Sequence, residues 1–528
     1  MSDEVRAAVE KTAAQFREIF IESNRTQWDA ATTGTPEALD AAAKAEAAWL
    51  RFWADPEAYE RYRKWDEEGA AGDDPLLKRA VHILHLQYAD GQRDPATIDE
   101  MSELSTALTD AYTNFRADVN GERLTANAIH KILADETNSE RRRAAWEASK
   151  EIGPLVADKI RRLAELRNQA ARNMGYDNFH RMSLTLNELD PDWLYGLLDE
   201  LAQKTEQPFL QAKAAMDAEL AERFNLSPDE LMPWHYADTF FQEAPMVGGM
   251  DFNKLFEGRD LVDLAVATYD GLGMDVRPIL ARSDLYEREG KDQHAFCTHI
   301  DREGDVRILC NLQPTLRWMD TLLHELGHGV YDAYIPQSLP WILREVSHIL
   351  TTEAMAMLMG TMPFDRDWQE QVLGASPEDA QRAAEDGARR FRLEELIFAR
   401  WVMVVVNFER ALYADPSQDL NALWWELVHK FQHLRVPDGR EQRPDWATKY
   451  HIALAPAYYQ NYLLGRMMSL QWDHWLRQNV GGIVGRAEAG DFFRQRIFEP
   501  GNTMPWNEQL VAATGEGLNP DYFVEKFA

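Results

Sequence analysis

Cysteine is nearly missing: the 528 residues include two, Cys297 and Cys310, and no CxxC pair. A chain so poor in thiols is not a disulfide scaffold, and the expectation is a reduced, cytoplasmic protein. Long apolar runs are also absent. The nearest, Trp401 to Val406, is flanked by Arg400 and Glu409, the pattern of a buried helix and not of a membrane span. Positive charge is scarce: 56 Lys and Arg against 88 Asp and Glu leave a formal charge of −32. Such a chain repels phosphate, so nucleic acid and membrane surfaces are not expected as partners. No solenoid-period repeat, low-complexity linker or like-charge tail occurs. The opening MSDEVRAAVEKTAAQF is charged from its third residue and helical in period, unlike a secretory signal.

What the chain does have is aromatic bulk, with 17 Trp, 17 Tyr and 22 Phe, enough to bury a large core without help from a metal. Ala-, Glu-, Lys- and Arg-rich segments of helical period run from about 3 to 115, interrupted at Gly34–Pro36, Pro56 and Gly69–Pro75. Others cover about 122–150, 154–174, 191–224, 252–272, 376–413 and 420–433. One stretch departs from this rule: HAFCTHI (294–300) and VRILCNL (306–312) are β-rich and flank a turn containing Gly304. Pairing across that turn should sum to about 606, which would bring Cys297 close to Cys310. The second strand leads to Pro314, a residue suited to opening a helix. A mostly α chain with a small hairpin beside one particular helix follows.

That helix carries His324-Glu325-Leu326-Gly327-His328. Positions four apart on a helix differ by about 40° around the axis, so both imidazoles address one point. Neutral imidazole suits Zn²⁺, and Glu325 could take the proton of a water there. The motif sits on the apolar stripe Trp318, Leu322, Leu323, Leu326, and buried His and Glu so close together need a partner. A third protein ligand is required. The next helix, expected to open near Pro340, offers Glu345, His348 and Glu353. Glu353, 353 − 328 = 25 residues past His328, is preferred; Glu345 beside Arg344 suits an ion pair, and His348 is the outsider.

Further motifs are LPWILREV (339–346) with Glu353-Ala354, Trp424-Trp425-Glu426-Leu427 with Lys430-Phe431-Gln432, Lys449-Tyr450-His451-Ile452, and His294-Ala295. In these the chain resembles the angiotensin-converting-enzyme family of zinc peptidyl-dipeptidases. The resemblance runs from about 230 to the C-terminus and more loosely through the N-terminal helices. A second resemblance is to the thimet oligopeptidase and oligoendopeptidase family, in GYDNFHRMSL (175–184), TLLHELGH (321–328) and the spacing to Glu353.

Both resemblances imply a two-lobed helical clamshell holding one Zn²⁺ per chain. The N-terminal helical lobe would cover about 1–230 and the zinc-binding catalytic lobe about 231–528. They imply His451 and Tyr462, with Tyr459 in reserve, as donors to the developing oxyanion. The angiotensin-converting resemblance further implies Lys449 and Tyr458 for a peptide carboxylate, and His294 and Ala295 for the substrate backbone at the hairpin edge. Asp238, in Trp234-His235-Tyr236-Ala237-Asp238, stands where a carboxylate-binding Gln is expected and should lie beside Lys449. Met357 replaces an Asp that supports a zinc-ligand His, and Val428 and Gln460 replace the Arg residues of chloride-activated members. The expected function is zinc-dependent hydrolysis of short peptides with release of C-terminal dipeptides. The alternatives are an oligoendopeptidase cutting internally and a non-catalytic peptide-binding homologue.

Overall fold

The computed structural model describes residues 2–92, 95–245 and 250–528. It is mostly helical, with two small antiparallel two-stranded sheets among the described residues. None of those helices is long and apolar enough to cross a membrane. The chain divides into two compact units, each drawn from three segments. The first comprises Met1–Gln92, Met250–Gly387 and Leu464–Tyr522; the second comprises Arg93–Gly249, Ala388–Leu463 and Phe523–Ala528. The first 92 residues share a unit with the HExxH helix.

The reason lies in where the N-terminal aromatic residues are buried. Four helices open the first unit: α1 (Ser2–Thr33), α2 (Pro36–Trp53), α3 (Pro56–Glu67) and α4 (Pro75–Gly91). Each of the last three begins with Pro behind a capping Thr35, Asp55 or Asp74 whose side chain accepts an orphan backbone N–H. Phe16 packs within 4.7 Å of Trp49 and 4.5 Å of Trp53, and Phe20 lies 5.5 Å from Trp341. The Arg302 guanidinium sits 4.4 Å from the Phe20 ring and 4.7 Å from Trp341, and Trp28 packs on Ile300 and Leu309. These large apolar surfaces join α1 and α2 to the hairpin and its neighbours, an association that no local pattern encodes.

The hairpin pairs Phe296–His299 with Val306–Leu309, with Phe296 opposite Leu309 and Cys297 opposite Ile308. The register therefore sums to 605, one less than expected, and places Cys310 diagonally from Cys297. Both thiols are free.

In the second unit the helix expected over 122–150 is preceded by a hairpin, Ala117–Val119 with Glu122–Leu124, and is itself split into Ala126–Asp135 and Ser139–Ser149. Asn120 and Gly121 turn that hairpin at φ 57° and 89°. Asn-Gly is the favoured pair for such a two-residue turn. The long helix Pro191–Phe224 forms over the expected residues and ends at left-handed Asn225.

Candidate active site

The HExxH motif lies on the helix Leu316–Tyr334, capped by Thr315 and not by the expected Pro314. Leu322, Leu323 and Leu326 are fully buried and fix the helix rotation, so that His324 and His328 share one face. Their ring centres are 5.0 Å apart, with the planes at 81°. The segment after Pro340 is a short 3-10 turn, Trp341–Leu343, and the helix carrying Glu353 spans Ile349–Gly360. The two helices cross closely because Gly327 has no side chain: a Cβ there would lie 2.7 Å from Ala356 Cα.

That crossing assembles the cluster. His324 Nε2 lies 3.9 Å from a Glu353 carboxylate oxygen, and one donor atom from each of His324, His328 and Glu353 falls within 4.8 Å of the others. The competing residues are otherwise engaged. His348 caps the Glu353 helix, its Nδ1 accepting the Leu350 N–H at 3.0 Å. Glu345 does form an ion pair, but with Arg302 (2.6 Å) and not with Arg344.

Burial drives the His324 imidazole well below its usual range, assisted by the neighbouring His328 and Arg466. Burial likewise brings His328 down to about 4, so both rings are neutral and offer lone pairs. Glu353 is pushed up to about 7 by burial, with Arg466 opposing. Glu325 is pushed up to about 8 by burial and by Glu353, while the Cys297 N–H, donating to its carboxylate, works against the rise. Two neutral imidazoles and a buried carboxylate are the donor set of a tetrahedral zinc centre with a position left open. A cation there would offset the burial that raises both carboxyls and favour their ionised forms. The residues fit the ion.

His328 has a hydroxyl partner where the resemblance implies an Asp at position 357. His328 Nδ1 lies 2.7 Å from Thr352 Oγ1, which orients the ring and leaves Nε2 for a metal. Met357 instead gives its backbone carbonyl to Arg466 at 3.3 Å.

His294 and Ala295 precede the hairpin strand. The His294 side chain is 94 % exposed and turns back to Asp292 (3.3 Å). The strand edge itself meets the motif helix, since Cys297 donates its N–H to Glu325.

The second unit holds the other expected residues. Lys449 is buried and its Nζ donates to Gln242 Oε1 at 2.9 Å. Tyr459 donates to the same oxygen at 3.4 Å and accepts from Trp401 Nε1 at 2.9 Å. Burial lowers the Lys449 ammonium to about 8, although Asp238 and Glu243 act to raise it. Asp238 thus lies close enough to act on the Lys449 charge, and is itself held by the backbone. Its carboxylate accepts three backbone N–H groups, from Phe240 (2.7 Å), Gln242 (2.9 Å) and Glu243 (3.0 Å). Asp238 thus closes the loop that carries Gln242 to Lys449, and makes no ion pair with Lys449 among the described residues. Burial and the nearby Glu243 push its carboxyl up to about 6. Gln242 is the residue that sequence reasoning missed; its place follows from the loop, which Gln432 also holds through the Phe240 and Phe241 carbonyls.

His451 packs against Tyr450 (3.9 Å) and edge-on to Tyr459 (5.0 Å). Burial, with the Lys449 charge, lowers it to about 4, so it is a neutral ring at physiological pH. Its Nδ1 is buried with no hydrogen-bond partner among the described residues. Tyr462 packs edge-to-face on Tyr458 (5.4 Å) and Tyr459 (5.5 Å). Of the two oxyanion candidates, Tyr459 spends its hydroxyl on Gln242.

Comparison with known proteins divides the chain. Residues 280–528 match the family described as Peptidase family M3. Residues 1–236 match the family described as Angiotensin-converting enzyme. Both halves therefore resemble metallopeptidases. The HExxH helix, Glu353, Lys449, His451 and Tyr462 all fall within the M3 match, and Gln242 falls outside both. The apportionment differs from that expected, since the angiotensin-converting likeness is carried by the N-terminal part. An oligoendopeptidase F homologue from Lactococcus lactis subsp. lactis (strain IL1403) is 22% identical over 345 residues, 63% of this chain and 53% of its own. The chromosomal oligoendopeptidase F of Lactococcus lactis subsp. cremoris is 22% identical over 375 residues, 69% of this chain and 58% of its own. The chain thus spans little more than half the length of these relatives.

Proposed function

We propose that this chain is a zinc metallopeptidase that hydrolyses short, extended peptides and releases dipeptides from their C-termini. The observation that carries the reading is the convergence of His324, His328 and Glu353 beside the buried Glu325. His324, His328 and Glu353 would hold one zinc. When bound, it would polarise a scissile carbonyl and acidify a water. Glu325, steadied by the Cys297 N–H, takes the proton of the attacking water and passes it to the leaving amine. His451, with its proton on one nitrogen, and Tyr462 donate to the oxyanion. His294 and Ala295 align the peptide backbone along the hairpin edge, and Tyr458 assists at the C-terminal side. Lys449, Gln242 and Tyr459 bind the terminal carboxylate, a role supported by a buried ammonium that is satisfied by an amide and not by an acid. Cys297 and Cys310, left as thiols, accord with a reducing compartment such as the cytoplasm.

A second reading, internal cleavage of oligopeptides, is favoured by the names of the Lactococcus relatives. Mass spectrometry of a peptide library digested with free and with amidated C-termini separates the two. Dipeptide ladders confined to free C-termini support the first, and equal internal cutting of both forms supports the second. Loss of neither peptide set in the zinc-loaded protein would leave only the non-catalytic peptide binder.

A further inference from the structure

Among the described residues one other set of metal-type side chains comes together, far in sequence from HExxH. The donor atoms of Asp66, His82 and His85 all lie within 4.8 Å of one another. Asp66 is the next-to-last residue of α3, and His82 and His85 are three apart on α4. Residues at that spacing share a helix face, so both imidazoles lean toward the end of α3. One carboxylate oxygen, Asp66 Oδ2, lies 2.8 Å from His82 Nδ1 and 2.8 Å from His85 Nδ1. Both separations are hydrogen bonds that a bound ion would replace; ligands about 2.0–2.1 Å from an ion lie about 2.9–3.4 Å apart, so little movement is needed to admit one. The three side chains are 19–38% exposed. Water can fill the remaining positions and an ion can enter.

We propose that Asp66, His82 and His85 form a second metal site, for a divalent first-row ion that accepts imidazole and carboxylate ligands, such as Zn²⁺, Ni²⁺ or Co²⁺. The ion would tie α3 to α4 across the loop at 68–74, and so stabilise the folded chain. With its carboxylate more exposed than that of Glu353 (24% against 11%), the site binds more weakly than the His324, His328 and Glu353 set and fills after it.

The test is calorimetric zinc titration of the full chain, with metal content measured in parallel. Wild-type protein should take up two equivalents. The His82→Gln/His85→Gln double variant should take up one, keep its turnover, and lose the rise in melting temperature that excess zinc gives wild type. The His324→Gln/His328→Gln double variant should also take up one equivalent, at Asp66, His82 and His85. That last arm separates this site from the proposed catalytic centre: if it alone survives, the second site stands and the catalytic reading falls. Uptake of a single equivalent that depends only on His324 and His328 would overturn the proposal. So would a second equivalent that persists in His82→Gln/His85→Gln. Should that variant fail to fold, the near-isosteric Asp66→Asn carries the same comparison.

Discussion

Replacing Thr352 by Val tests whether the orientation of His328 is built into the helix crossing. The substitution conserves shape and removes the hydroxyl 2.7 Å from His328 Nδ1. Partners of this kind typically account for about 10–100-fold in metal affinity, which is about 1.4–2.7 kcal/mol. The lost hydrogen bond should itself cost the apo protein about 1 kcal/mol, because it leaves a buried ring nitrogen unsatisfied. Zinc affinity, measured by competition with a chromophoric chelator at fixed pH, should fall by about one to two orders of magnitude in Thr352→Val. Thr352→Ser should restore most of it. Turnover at saturating zinc should change far less, since Thr352 meets no reacting atom in the proposed mechanism. An affinity in Thr352→Val within about twofold of wild type would refute the reasoning, and would mean that packing alone orients His328.

Four further outcomes are expected. Glu325→Gln should keep zinc but lose most of its turnover, and near-normal rates would remove Glu325 as the base. Gly327→Ala should destabilise by about 1–3 kcal/mol and weaken zinc binding, because its Cβ would sit 2.7 Å from Ala356 Cα; thermal melting with and without zinc reads both. The preference for free over amidated C-termini, taken from kcat/KM against pH, should decline as pH rises through about 8, where Lys449 loses its charge. Gln242→Glu, which sets an anion against that ammonium, should abolish the preference at neutral pH; a preference unchanged by either would take Lys449 out of carboxylate recognition.

Those residues also show what was legible in the sequence. HExxH is local: once the helix forms, its own geometry brings His324 and His328 to one face, so the ligand pair and Glu325 could be named from spacing alone. The long helices were similarly readable, since period and capping Asp-Pro pairs at 55–56, 74–75 and 190–191 act within one turn. Glu353 could be ranked above Glu345 and His348, but its approach to His324 depends on two helices crossing at Gly327 and Ala356. Thr352 as the partner of His328 follows from the same crossing. The Gln242–Lys449 contact joins residues 207 apart, through a loop whose shape depends on Asp238 gathering three amides. A side chain's type was visible there, and its partner was not. The division into units likewise rests on where Phe16, Phe20 and Trp28 find apolar surface. Local order follows from neighbours along the chain, whereas the Gln242–Lys449 contact and the N-terminal docking depend on burial and hydrogen bonding between distant segments, which only the folded chain defines.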